Sequence, residues 1–161
     1  MWRDAGNPLE KISIRLATEN DARLLATLRY EFRASSEPVN ENENTFRERC
    51  ENWMRERLRN TALWKCWIAE SDGAVVGNIW IQLIEKIPNP GFEPEYHAYI
   101  TNVYVREDIR GHGVGSKLLE AALDWLQSQD VHCVFLWSRD QSRNFYLRRG
   151  FSTNDGLLER S

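Results

Sequence analysis

Residues 105–120, VREDIRGHGVGSKLLE, set Gly111, Gly113 and Gly115 within five positions and then pass at once into an apolar-periodic run. Such a stretch commits the chain to a strand, a tight turn and a helix N-terminus in direct succession. Several N–H groups there have no intrahelical partner and the helix dipole adds positive potential, so the corner makes an anion site. Glycine suits it because a Cβ would hold a phosphate away from the backbone. A turn needing only positive φ would explain one or two glycines; three of them, flanked by Arg110 and Ser116, point to phosphate.

Two familiar phosphate loops fail on spacing. The pattern G-x-x-x-x-G-K-[ST] needs glycine at position 116, where serine stands, and Lys117 is not followed by Ser or Thr. The dinucleotide fingerprint G-x-G-x-x-G also needs glycine there, and its fold demands several further parallel strands that the remaining chain cannot supply.

The rest of the chain supplies the elements around the loop. Ile12, Ile14 and Leu16 alternate as in a half-buried strand. Thr18 and Asp21 give a capping-box signal for a helix carrying Leu24, Leu25 and Leu28 and running to about Phe32. A polar loop with Pro38 follows, and a second box at Thr45 and Glu48 predicts an amphipathic helix with Phe46, Cys50 and Trp53. Two apolar runs around Asp72-Gly73 predict an antiparallel hairpin. Pro88, Pro90 and Pro94 break the chain before a fourth strand, HAYITNVYV. After the glycine loop, Leu118, Leu119, Ala122, Trp125 and Leu126 form a helical stripe. HCVFLWS reads as a strand buried on both faces, DQSRNFYLRR as a short helix stopped by Gly150, and FSTNDGLLERS leaves room for one more strand.

Composition narrows the partners. At 161 residues the chain is expected to form one domain over residues 1–161. A net charge of −3, from 21 basic and 24 acidic residues, offers no excess to follow a nucleic-acid backbone. No stretch reads as a leader or a membrane span, so the expected location is cytoplasmic, with no membrane partner. Cys50, Cys66 and Cys133 are odd in number and far apart, and His97, His112 and His132 share no ligand spacing, so no metal site is expected.

The run R-x-x-G-x-G, read as Arg110, Gly113 and Gly115, together with Phe145-Tyr146, Gly150-Phe151 and this order of elements, resembles the GCN5-related N-acetyltransferase (GNAT) superfamily over nearly the whole length. The resemblance implies an α+β fold in α/β/α layers: a mixed, mostly antiparallel sheet of six to seven strands with about four helices. It implies an acetyl-CoA-dependent N-acetyltransferase acting on a primary amine of a small molecule or protein by direct attack in a ternary complex. The pyrophosphate of CoA would then meet Arg110, Gly111, His112, Gly113, Val114, Gly115 and Ser116, with His112 contributing mainly its amide. Main-chain groups of Val103, Tyr104 and Val105 would pair with the pantetheine arm and polarise the acetyl carbonyl. Tyr146 matches the family's general acid for the departing thiolate, since a phenol donates without carrying charge at neutral pH. Many members that it resembles are dimers, which leaves a homodimer open and does not fix the oligomeric state.

One departure is Arg139, where the family often has an asparagine seven residues before the tyrosine. Either Arg139 or Arg143 could meet a CoA phosphate instead, or both could be surface charge. The changed position also leaves open a CoA-binding sensor without turnover. The attacking amine must lose a proton, and Glu95, His97, Tyr99 and water are the candidate acceptors, the three side chains falling on one face of a strand. Glu31, Glu37, Glu41, Glu43, Glu48 and Glu51 crowd the region of the acceptor wall and would suit a cationic amine, or else form a solvated face. Trp64, Trp67 and Trp80 read first as sheet core.

Overall fold

The computed structural model describes residues 11–160. Five strands form one sheet in the order β1-β2-β3-β4-β5. β1 (Ile12–Leu16), β2 (Trp64–Ser71), β3 (Ala74–Glu85) and β4 (Tyr96–Val105) run antiparallel, and β5 (Val131–Phe135) joins β4 in parallel. Helices α1 (Ala22–Ala34) and α2 (Glu43–Arg59) cover one face; α3 (Val114–Gln127) and the short α4 (Asp140–Leu147) lie on the other side.

β2 and β3 carry near-continuous apolar runs because both faces are covered. Trp67, Ala69, Ile79 and Ile81 point to the α3 side with Leu118, Leu119 and Ala122. Cys66, Ile68 and Trp80 point to the other, against Leu25, Leu28 and Met54. The three hairpin tryptophans belong to these layers: Trp80 and Trp67 are buried, and Trp64 packs edge-on to Trp80. At the hairpin tip, Asp72 and Gly73 both take positive φ, 50° and 79°, the geometry that Asp-Gly favours between twisted strands.

β4 departs from regular alternation. Asn78 of β3 stands opposite Tyr104, but Trp80 stands opposite Thr101, so Ile79 faces both Asn102 and Val103. Asn102 takes φ 51° to make this bulge. The extra residue reverses which face follows: Ile100 packs on the α3 side, whereas Tyr104, four residues on, packs on the α1 side against Phe32.

Several expectations are corrected. The described residues contain five strands, not six or seven, and the segment after Phe151 holds a turn and no strand. β5 is not buried on both faces: it is the outermost strand, has one neighbour, ends at Phe135, and exposes His132 and Cys133. α2 starts before Thr45, because Asn42 caps it by accepting from the N–H groups of Asn44 and Thr45 at 3.0 and 3.3 Å. No helix among the described residues is long and apolar enough to cross a membrane.

The approach of β3 to β4 beside the bulge leaves no room at Gly77, where an added Cβ would lie 2.8 Å from the Tyr104 carbonyl oxygen. Gly77→Ala is therefore expected to destabilise the fold by about 1–3 kcal/mol. Urea unfolding checks this, and an unchanged midpoint would contradict the packing.

Candidate active site

β4 and β5 part company along their length. Their pairing covers Tyr96 to Tyr99 against Val131 to Phe135 and goes no further. Beyond Tyr99, β4 keeps its bonds to β3 but has no strand on its other side among the described residues, so main-chain groups there are free to bond a ligand. The gap widens into a groove of about 1010 Å³, walled by β4, the C-terminal end of α1, the glycine loop and α4.

The bulge is held by side chains. The Asn102 amide nitrogen donates to the Asn78 oxygen at 3.1 Å, and Arg29 donates to the Asn102 oxygen at 3.0 Å. Asn78 is fully buried, and the nitrogen of its amide has no partner among the described residues. At the end of β4 the Arg110 Nε donates to the Val105 carbonyl at 2.9 Å, fastening the glycine loop to the strand it leaves.

Gly111 and Gly113 both have positive φ, 82° and 80°, and Gly113 is the N-cap of α3. No side chain caps the helix and no acid occupies its first turn. The first backbone bond back to the cap is Lys117 N–H to Gly113 O, at 3.1 Å, which leaves the N–H groups of Val114, Gly115 and Ser116 without intrahelical acceptors. These three residues line the groove. The Ser116 hydroxyl is engaged by Arg149, which also donates to the Phe145 carbonyl at 2.9 Å and lies 3.8 Å over the Phe145 ring.

Of the residues singled out in the sequence, Val103, Tyr104, Val105, Arg110, Gly111, Gly113, Val114, Gly115, Ser116 and Tyr146 line this one groove. The Tyr104 ring faces the core, so only its main chain is available there. His112 lies off the wall, exposed, its Nδ1–H donating to the Ile109 carbonyl at 3.1 Å. Tyr146 is 8% exposed; its hydroxyl has no protein partner among the described residues, and burial pushes the phenol above its usual range. Arg139 lines the groove and the exposed Arg143 does not.

The candidate proton acceptors separate. Tyr99 is on the wall, stacked on Phe135 and edge-on to Trp137. His97 turns toward His132, 5.4 Å between rings, and is held below its ordinary range by burial and then by Lys86. Glu95 lines a separate shallow depression with Phe92 and Asp130. None of the acidic residues of α1, the following loop or α2 lines the groove. Glu37, Glu41, Glu43 and Glu51 are instead paired with Arg33, Arg49, Arg47 and Arg55.

The groove is strongly basic, which the net charge conceals. Among the described residues, six arginines, at 29, 33, 110, 139, 148 and 149, line it against one acid, Glu107. Arg148 and Arg149 gave no signal in the sequence beyond a pair of surface-type charges; their position comes from α4 docking on α3.

The family described as acetyltransferase (GNAT) family matches residues 26–151. A Mycobacterium tuberculosis protein named as a probable N-acetyltransferase is 30% identical over 88 residues, 55% of this chain and 47% of that protein, so the match spans about half of the relative's length. Among solved structures, a "predicted acetyltransferase with acetyl-CoA" from Clostridium acetobutylicum superposes with TM-score 0.80 at 22% identity, covering 94% of this chain and 96% of that one. A GCN5-related N-acetyltransferase from Ralstonia eutropha gives TM-score 0.78 at 20% identity, covering 94% and 99%. These two likenesses are likenesses of fold.

The bulge makes its own prediction. Asn102→Leu keeps a side chain of similar size but places a branched apolar residue at positive φ and leaves Asn78 unpartnered, so a loss of about 2–4 kcal/mol in unfolding free energy is expected. Asn102→Gly, which relieves the backbone, should lose clearly less; equal losses in thermal or urea unfolding would show that φ does not matter there.

Proposed function

The chain belongs to the acetyltransferase (GNAT) family, and from that membership we propose that it transfers the acetyl group of acetyl-CoA to a primary amine of a small molecule or protein, by direct attack in a ternary complex. We take residues 1–161 as one catalytic domain. The observation that carries this reading is the parting of β4 from β5 onto an uncapped, acid-free α3 N-terminus. An unpaired strand edge suits the amides of a pantetheine arm, and free N–H groups with arginines around them suit a pyrophosphate.

Acetyl-CoA supplies a thioester whose carbonyl carbon the amine attacks, forming the C–N bond as the C–S bond breaks. The chain's own part has three components. The N–H groups of Val114, Gly115 and Ser116 hold the pyrophosphate, with Arg110 and Gly111 to Gly113 shaping the loop. Main-chain N–H groups at Val103 to Val105 align the arm and stabilise charge developing on the carbonyl oxygen. Tyr146 donates its hydroxyl proton to the leaving sulfur; burial favours the neutral phenol and so keeps the donor protonated at physiological pH. The amine's proton leaves to water, because Glu95 and His97 lie off the groove wall and the one candidate side chain on it, Tyr99, offers only a hydroxyl.

Two substitutions test these assignments. Gly113→Val puts a branched side chain at φ 80° on the loop surface and is expected to weaken CoA binding by at least ~1.4 kcal/mol, about tenfold, by calorimetry. Unchanged affinity in a folded variant would remove the loop from the site. Tyr146→Phe deletes the donor and keeps the ring, so CoA affinity should persist while turnover falls roughly 10²–10⁴-fold. In the wild type the rate should drop at high pH as the phenol ionises, and because burial raises that ionisation the limb should lie above the usual tyrosine value of about 10. Thiol release against pH checks both; less than a threefold loss in the Phe variant would leave water as the donor. Tight CoA binding without thiol release for any amine in a broad panel would favour a sensor.

A further inference from the structure

Among the groove's arginines, Arg33 is paired with Glu37 and Arg148 is exposed, which leaves two half-buried ones, Arg29 and Arg139, without a part in this scheme. Arg110 and Arg149 are tied to the glycine loop and the first turn of α3. Arg29 and Arg139 lie across the groove from them, on the α1 side. Arg29 bonds Asn102 at the bulge, and Arg139 reaches over from the loop after β5 to donate to the Ser36 hydroxyl at 3.3 Å, its guanidinium 4.7 Å above the Phe32 ring. Val105 is three strand positions on from Asn102, about 10 Å of chain, so this pair is set well apart from the loop that takes the pyrophosphate.

Neither Arg29 nor Arg139 has a carboxylate partner among the described residues. Both are half-buried, and Arg33, itself paired with Glu37, adds a third guanidinium nearby. Arg29 feels burial first, then the like charges of Arg33 and Arg139, all of which disfavour its cation. Half-buried cations that repel one another and lack a counter-ion are a cost that a bound anion removes. The one acid on the groove, Glu107, is at the far end beside Arg110. Tyr99 and Trp137 complete the wall at the arginine end with flat aromatic surface.

Resting on the acetyltransfer reading, we propose that the Arg29–Arg139 pair binds the acceptor, and that the acceptor is a small primary amine carrying an oxyanion, a carboxylate or a phosphate, within a few bonds of the nitrogen. Arg29 is hydrogen-bonded to the residue next to Val103, so an anion held there keeps the amine close to the reacting carbonyl. The same positive field disfavours the ammonium form of the acceptor and so favours the neutral nucleophile, in a groove wall that, among the described residues, carries no carboxylate or imidazole at this end. A polyamine would meet cations on arrival and find no carboxylate.

Matched amines decide it: ethanolamine phosphate against ethanolamine, and amino acids against their amides, each assayed for thiol release from acetyl-CoA. The anionic member of a pair should have the higher kcat/KM by about tenfold to a hundredfold, the range for a hydrogen bond to a charged group. Arg139→Gln should raise KM for that anionic amine and collapse the ratio toward one, while CoA affinity shifts less than about twofold. Preference for the neutral members overturns the proposal. So does an Arg139→Gln variant that loses CoA affinity but binds 3′-dephospho-CoA as the wild type does, since the pair would then serve the cofactor's phosphate. If no amine supports thiol release, the acetyltransfer reading fails separately, and calorimetry of inorganic phosphate and of ethanolamine phosphate into CoA-saturated protein still tests the pocket. Binding that Arg139→Gln abolishes sustains the anion site; no binding overturns it.

Discussion

The placement of one asparagine side chain governs most of what the groove can do. Asn102 occupies a left-handed backbone position in the middle of β4 and is clamped between the buried Asn78 and the Arg29 guanidinium. The extra residue it inserts reverses the strand's alternation, which sends Tyr104 to the α1 layer and leaves Val103 and Val105 packing toward α3. A strand that changes face cannot keep a flat register with a partner on its open side, and β5 pairs only with the part of β4 before the bulge. The free edge, the groove and the entry angle into the glycine loop all follow. An unsatisfied buried amide costs about 1–3 kcal/mol, so Asn78 is tolerable only because the bonds made through Asn102 offset it.

What the sequence disclosed is what depends on neighbours along the chain. Asp72-Gly73, Gly111 and Gly113 require particular φ values and announce them, and Gly150, at φ 86°, closes the turn that follows α4, which itself ends at Leu147, two residues short of the expected helix. The bulge was not legible, because HAYITNVYV reads as an unbroken alternating strand; an asparagine amid apolar residues was the one sign. β5 reads as a central strand because an apolar run looks the same in a central strand and at an edge, and only the order of strands distinguishes them. Arg29 carried a faint signal: it lies one turn from Leu25 and Ala26, next to the buried face of α1, where a cation is out of place unless it has work to do. Arg148 and Arg149 had none.

The distribution of charge follows a consistent rule. On α2 and the loop before it, acids and arginines pair locally, Glu43 with Arg47, Glu51 with Arg55 and Glu41 with Arg49. Pairs of this exposed kind contribute little to stability, on the order of 0–1 kcal/mol. Their larger effect is to neutralise the outer surface, so that the unpaired arginines of the groove dominate the field there. A total of −3 is thus compatible with a basic cleft, and the acidic stretch of the sequence says more about the arginines beside it than about a ligand.

The two ends of the reacting cofactor would be set by one connection. Arg149, just past α4, reaches the Ser116 hydroxyl in the first turn of α3 and stacks on Phe145, the residue before Tyr146. Gly115 supports the same contact, since its Cβ position lies 3.8 Å from Phe145, an ordinary packing distance with no space to spare for a larger residue. The helix with the uncapped N-terminal amides and the helix with the phenol are therefore fastened to each other within one turn of each group. Because α4 is only eight residues long, its own hydrogen bonds could not hold the phenol in place, and docking on α3 must do so. A proton donor and a phosphate cradle on separate flexible elements would lose the fixed separation that a cofactor of fixed length requires. Here a single guanidinium joins them, and its own charge faces the groove that the phosphates would occupy.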